Sequence, residues 1–311
     1  MSKKIPINQQ ALYVYAALQN LQHERSTLDL AEELGVSRFM VGRMIRKARE
    51  LGLVEVVSRL SSPIDSDLSQ KLAQQYGLSG ALVVVPASES DKHAREAVAH
   101  AAAEYLSDNV VEDSLIGLGP GRTIVEVCRR ISELPPCDVV QLTGVATRDA
   151  EESIRAIYEL SRVSEGRMFP LHAPLLATTI EAARAIVLQP NVMNALTRLD
   201  RLDLSVLTIG GWPDSSLLSD MLKESGELAH LMELGGIAEI GTTILNRKGQ
   251  VLHEMENRVI GITATQLSKV RFRIALGGGI GKRDAIMATL NSGLIDMIVT
   301  DSYSAKAALE G

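Results

Sequence analysis

The sequence predicts an α/β protein of two parts: a small helical module over residues 1–60 and a larger domain over residues 61–311, built on a mostly parallel sheet with helices on both faces. Three observations carry this expectation. Residues 8–51 hold three amphipathic helical segments interrupted at Gly35. Farther on, short continuous apolar runs alternate with helical segments, the pattern of strands buried on both faces. Several of those runs end in glycine-bearing loops, where open parallel sheets place their ligands.

The elements follow in order. Leu12, Tyr15, Ala16 and Leu18 recur at helical spacing and predict a helix over 8–22. Thr27 is expected to cap a second helix ending at Leu34, where Gly35 stops it. Ser37 caps a third helix running to Leu51, Gly52 ends it, and residues 53–59 read as a short strand. Ser61, Ser62, Pro63 and Ile64 mark a linker. An amphipathic helix over 65–76 opens the larger part. Strands are expected at 81–85, 115–118, 139–142, 204–209, 272–276 and 295–299. Helices are expected at 88–109, 122–133, 151–165 and 282–292, with one more at the C-terminus.

Within the small part, residues 27–46 read TLDLAEELGVSRFMVGRMIR. Ala31 is small where two crossing helices must touch. Gly35 supplies the tight turn, which needs positive φ. Val41 and Met44, with Leu30, Leu34 and Val36, seal the helices together. That spacing is the geometry of a helix-turn-helix, and residues 54–58 supply a candidate wing. The third helix is then the recognition helix. Its candidate contacts to double-stranded DNA are Ser37, Arg38, Phe39, Gly42 and Arg43 near its start, with Arg46 and Lys47 on the later face. An ordinary helical hairpin with solvated arginines has the same spacing.

The larger part offers four glycine loops after expected strands: 117–123, Gly144, 210–212 and 277–282. Glycines let backbone N–H groups approach an anion, and a helix N-terminus adds a favourable dipole. Neither a Walker loop nor a dinucleotide fingerprint is present. Lys282 is expected at the start of a helix, where a cation opposes the dipole, so contact with a ligand explains it better than structure does. Any one loop alone reads equally as a tight βα turn. Glu239, Asn257 and Arg258 are further polar candidates for a cavity, and Trp212 either stacks on a sugar ring or fills the core.

Composition narrows the function. Aromatic residues make up 3% of the chain, too few for the stacking platforms of single-strand binders. Net charge is −6, yet residues 1–60 carry 9 Lys/Arg against 6 Asp/Glu while the remainder carries 23 against 32. A basic head on an acidic body suits a DNA-contacting head, though chance produces the same asymmetry. Cys128 and Cys137 have no metal-site spacing and read as reduced thiols, with a disulfide as the other possibility. The six histidines are scattered, so neither a metal site nor a catalytic set is expected, nor a cofactor. No secretory signal and no apolar run of about 18 residues is visible, which points to a cytoplasmic protein without a membrane span.

Seven ordered blocks carry a resemblance over nearly the whole length. GVSRFMVGRMIRKARELGLV resembles the helix-turn-helix of the SorC family of sugar-responsive bacterial regulators, and LIGLGPGRTI resembles that family's first effector loop. DVVQLTG, LTIGGWPDSSLL, ENRVIGIT and GGGIGKRDAI match further family blocks, and LIDMIVTD matches its closing strand. The resemblance implies a winged helix-turn-helix and a Rossmann-like effector domain similar to phosphosugar isomerases. It implies a sugar, polyol or sugar-phosphate effector, a palindromic operator, and a homo-oligomer, dimer or tetramer. The effector contacts it carries over fall on Gly119, Gly121, Arg122, Thr123, Gly144, Glu239, Gly278 and Lys282. The chain departs from the family at Gly119, Pro120, Glu239 and Asn257, where serine, tryptophan, aspartate and aspartate are common.

Two functions compete. One is an effector-gated regulator of transcription. The other is a phosphosugar isomerase or deaminase with an appended helical module, which needs a paired acid and base near the glycine loops. No His/Asp pair stands out there.

Overall fold

The computed structural model describes residues 6–54, 63–146 and 150–310, and the chain divides into two compact units, Met1–Arg59 and Leu60–Gly311. The expected wing, residues 54–58, falls outside the described residues except for Val54.

The first unit contains α1 (Ile7–Leu21), α2 (Thr27–Leu34) and α3 (Arg38–Glu50). The cap of α2 is Ser26, one residue earlier than expected: its hydroxyl accepts the Asp29 N–H, while Thr27 is already helical. Gly35 ends α2 in the left-handed region at φ 65°, and the Ser37 hydroxyl accepts the Met40 N–H to start α3. Ala16, Leu30, Ala31 and Val41 form the buried centre, with Val36, Met44 and Ile45 packed around them. Leu34 stands outside that cluster.

The second unit opens with α4 (Ser66–Tyr76), β1 (Gly80–Val84), α5 (Asp91–Asn109), β2 (Leu115–Leu118), α6 (Arg122–Arg130), β3 (Asp138–Gln141), α7 (Ala150–Val163) and β4 (Met168–Phe169). Helices α8 (Ile180–Val187) and α9 (Pro190–Leu196) lead into the long β5 (Leu204–Gly211). Then come α10 (Leu217–Ser225), α11 (Leu228–Glu233), β6 (Gly236–Ile240), β7 (Thr243–Asn246), β8 (Val251–Leu252) and α12 (Ala264–Leu267). Strand β9 (Phe272–Leu276), α13 (Arg283–Asn291), β10 (Met297–Asp301) and α14 (Ser302–Glu310) complete the unit.

The sheet runs β1-β10-β9-β5-β2-β3-β4, with every pairing on this path parallel. Successive strand residues enter opposite cores. Leu207, Ala275 and Ile298 join the layer of α13 and α14, whereas Val206, Ile274 and Val299 join the layer of α5 and α6. This two-sided burial is why the strands read as continuous apolar runs. The chain moves outward from β2 through β3 to β4, then returns to place β5 on the other side of β2 and continues to β9 and β10. The β2/β5 boundary is therefore the topological switch point.

Several expectations shift. The helix expected from Ser88 starts at Asp91, because the Ser90 hydroxyl caps it. The helix expected over 122–133 stops at Arg130, and Lys282 is the N-cap residue of a helix that starts at Arg283. The last strand lies at Met297–Asp301 rather than 295–299, since Thr300 and Asp301 are polar yet buried within it. Strands β6, β7 and β8 form an antiparallel meander attached to the end of β5, which the apolar-run pattern did not reveal. Cys128 and Cys137 are buried free thiols, and burial pushes Cys128 up to about 12. Among the described residues, no helix is long and apolar enough to cross a membrane.

Candidate functional site

In the first unit, α3 buries Val41 and Ala48 and half-buries Met44 and Ile45. At 3.6 residues per turn, the opposite face holds Phe39, Arg43 and Arg46, spaced four and three apart. All three are exposed. Arg38 lies to one side of this stripe, with its guanidinium 5.0 Å from the Phe39 ring centroid. Ser37 is occupied as the cap, Gly42 is half-buried, and Lys47 pairs with Glu50 at 2.6 Å. Among the described residues, neither Arg43 nor Arg46 has an ion-pair partner.

In the second unit, a cleft of about 270 Å³ opens at the C-terminal ends of β2, β5 and β9. Gly121, at φ 116°, lets the β2–α6 loop turn directly into the helix, and no side chain caps α6. The loop is pinned by the Thr208 hydroxyl, which donates to the Pro120 carbonyl at 2.7 Å. The α6 N-terminus therefore faces the cleft with its amides and its dipole.

The opposite wall is a buried polar cluster. Glu239, on β6, is only 6% exposed. Its Oε2 accepts the Trp212 indole N–H at 2.5 Å, and its Oε1 accepts the Ser216 hydroxyl at 2.5 Å. Burial raises the Glu239 carboxyl above its ordinary range, while the Ser216 and Trp212 hydrogen bonds and the Lys282 charge oppose the shift. The Lys282 ammonium donates to the Ile209 carbonyl at 2.6 Å. Burial lowers Lys282 to about 8; the charge of Glu239 resists this, and Arg122 and Arg95 add to it.

Asp301 braces the last glycine loop. Its Oδ2 accepts the Gly279 N–H at 2.8 Å and the Ser304 hydroxyl at 2.6 Å, while Oδ1 accepts the Tyr303 and Ser304 amides at 3.0 Å. One buried carboxylate thus starts α14 and fixes the loop that carries Gly278 and Lys282.

Of the residues expected to meet the effector, Gly121, Arg122, Thr123, Glu239, Gly278 and Lys282 line this cleft. Gly119 and Gly144 do not. Gly119 packs on Leu207, and a β-carbon at Gly144 would lie 2.3 Å from the Pro174 carbonyl oxygen, so close backbone approach accounts for that glycine. Arg258 lies elsewhere, donating to the Ala177 carbonyl and paired with Glu227. Trp212 is tied to Glu239 by its indole N–H, an arrangement the sequence reading did not anticipate.

Asp91 and Arg95 on α5, and Asp214, Ser216 and Asp220 beyond β5, also line the cleft, although the sequence did not mark them as site residues. The last three fall within or just after LTIGGWPDSSLL, where their polarity was the available signal. Arg95 gave none. Among the described residues, Arg95 and Arg122 have no ion-pair partner.

Residues 64–310 match the family described as "Putative sugar-binding domain". The chain is 28% identical over 289 residues to the erythritol catabolism regulatory protein of Brucella abortus (strain 2308), covering 90% of each. It is 23% identical over 308 residues to the deoxyribonucleoside regulator of Bacillus subtilis (strain 168), covering 96% of this chain and 97% of that one. The fold superimposes on the full-length sorbitol operon regulator SorC from Klebsiella pneumoniae with a TM-score of 0.72 at 20% identity, covering 97% of this chain and 99% of that chain.

Proposed function

Because this chain belongs to the sugar-binding-domain family of SorC-type transcriptional regulators, we propose that its grip on a double-stranded DNA operator is set by a phosphorylated sugar or polyol held in the cleft of the second unit. One observation carries the phosphate. Among the described residues, Arg95 and Arg122 line the cleft without ion-pair partners, beside the uncapped N-terminus of α6 and the Lys282 ammonium. Charge-assisted donors around a helix N-terminus form an anion site. Asp91, Asp214 and Asp220 on the same walls supply acceptors for hydroxyl groups.

Binding without turnover is the better-supported reading. The two relatives named above are regulators by name. Glu239 has both oxygens engaged by Trp212 and Ser216, and Lys282 is engaged with the Ile209 carbonyl, so neither stands free as an acid or base. Effector binding shifts operator affinity through its differential affinity for the two states of the protein. The protein acts in the cytoplasm as a homo-oligomer, dimer or tetramer.

Thermal unfolding against pairs of sugars or polyols and their phosphates tests this. A phosphate ester at 100 times its dissociation constant adds about 2.7 kcal/mol, a rise of several degrees, which the unphosphorylated parent does not reproduce. Equal shifts from both members of every pair, or turnover of the ester, would refute the proposal.

A further inference from the structure

Phe39 occupies an unusual position. The chain has three phenylalanines; Phe169 is buried and Phe272 half-buried, while Phe39 is 70% exposed. It is the second residue of α3, at the centre of the face opposite Val41 and Ala48, one turn ahead of Arg43 and two ahead of Arg46. Among the described residues nothing in the fold of this unit requires an aromatic ring there, since its core closes with Ala16, Leu30, Ala31 and Val41. The ring projects from a positively charged stripe: Arg38 stacks on it and Arg43 and Arg46 follow it along the helix, neither of the latter with an ion-pair partner among the described residues.

A polyanion complements that charge, and the occupant of the stripe must also offer an apolar feature at the tip of the helix. The major groove of duplex DNA supplies both. Each base pair there shows hydrogen-bonding groups, and only thymine adds an apolar one, its C5-methyl. Residues at the start of a recognition helix are those that reach base edges. We propose that Phe39 reads thymine by seating the C5-methyl of one operator thymine against its ring, with Arg43 and Arg46 holding the helix on the flanking bases and phosphates. The proposal rests on the DNA-binding reading above and adds the chemical group that is recognised.

The test uses the full-length chain. Random-sequence duplexes are selected on the wild-type protein, and affinities for the enriched duplex are measured by fluorescence anisotropy. Each thymine is replaced in turn by deoxyuridine, which removes only the C5-methyl. At one thymine position, the replacement weakens wild-type binding about fourfold, the value of one buried methyl. Phe39→Ala binds the thymine duplex roughly tenfold more weakly and is indifferent to deoxyuridine at that position. Phe39→Leu, which keeps an apolar contact, retains part of the discrimination. Enrichment of a duplex with no methyl-sensitive position overturns this inference alone, as does Phe39→Ala with undiminished sensitivity. No enriched duplex at all overturns the DNA-binding reading together with it.

Discussion

The Trp212 indole N–H donates to Glu239 Oε2 at 2.5 Å, so the only tryptophan of the chain is anchored to a buried carboxylate in the cleft wall. Ser216 donates to the other oxygen. Removing that carboxylate leaves two half-buried donors unmet, at up to about 1–3 kcal/mol each before relaxation. Glu239→Ala is expected to lower stability by at least 2 kcal/mol in denaturant unfolding and to alter Trp212 fluorescence. A stability change below 0.5 kcal/mol would show that Glu239 braces nothing.

Lys282 gives the cleft a pH dependence. Burial lowers its pKa from 10.5 to about 8 in the free protein, so the ammonium is present at pH 7 and largely lost by pH 9. A phosphate ester stays dianionic over that range, its second pKa being about 6. Affinity for an anionic effector is expected to fall about tenfold between pH 7 and 9, as followed by calorimetric titration, with Lys282→Met flat across the same range. The unliganded fold responds in the opposite sense. A lowered lysine pKa means that the cost of burying the charge is present below pH 8 and is relieved as pH rises towards 10.5.

Arg122 and Arg95 lack ion-pair partners among the described residues, so their loss costs the fold little. Arg122→Ala is expected to shift Tm by less than about 2 °C while weakening phosphate-ester binding tenfold or more. Affinity for an unphosphorylated parent sugar is expected to change less. If both ligands lose affinity equally, the arginine is shaping the cleft instead of meeting the phosphate.

Gly144 tests the boundary of the site. With a β-carbon 2.3 Å from the Pro174 carbonyl oxygen, Gly144→Ala forces backbone apart and is expected to destabilise by about 1–3 kcal/mol. The folded variant keeps its effector affinity, because Gly144 does not line the cleft. Selective loss of effector binding with unchanged stability would place Gly144 back at the ligand.

On the first unit, Arg38→Ala combined with Arg43→Ala is expected to abolish sequence-selective operator binding without lowering Tm, since both side chains are exposed. Arg46→Ala is expected to weaken binding to all duplexes alike and to reduce the salt dependence by about one phosphate's worth. Operator affinity unmoved by the double substitution would remove α3 from the interface.

The parallel sheet was legible because Leu207, Ile274 and Val299 sit in apolar runs, the pattern that two-sided burial imposes. The β6–β8 meander was not. Glu239 interrupts β6 and reads as a surface residue, and only the fold shows it paired opposite Gly210. Three of the four glycine loops converge, but sequence cannot separate a glycine that meets a ligand from one, like Gly144, that meets a neighbouring backbone. Arg95 was invisible for a different reason. It lies nearly 190 positions from Lys282 along the chain, and the β1–β10–β9 pairing brings the start of α5 to the loop that carries Lys282.

That pairing also sets an order of assembly. Strand β1 has β10 as its sheet neighbour, with Gly80 opposite Met297, so one edge of the first strand of the second unit is sealed by a segment synthesised long after it. The three-helix unit, whose contacts are local, can fold while the ribosome is still making the rest. Until β10 emerges, β1 waits with one edge open. A growing chain therefore presents a folded three-helix unit attached to an incomplete parallel sheet, and β1 gains its partner only once the strand ending at Asp301 has been translated.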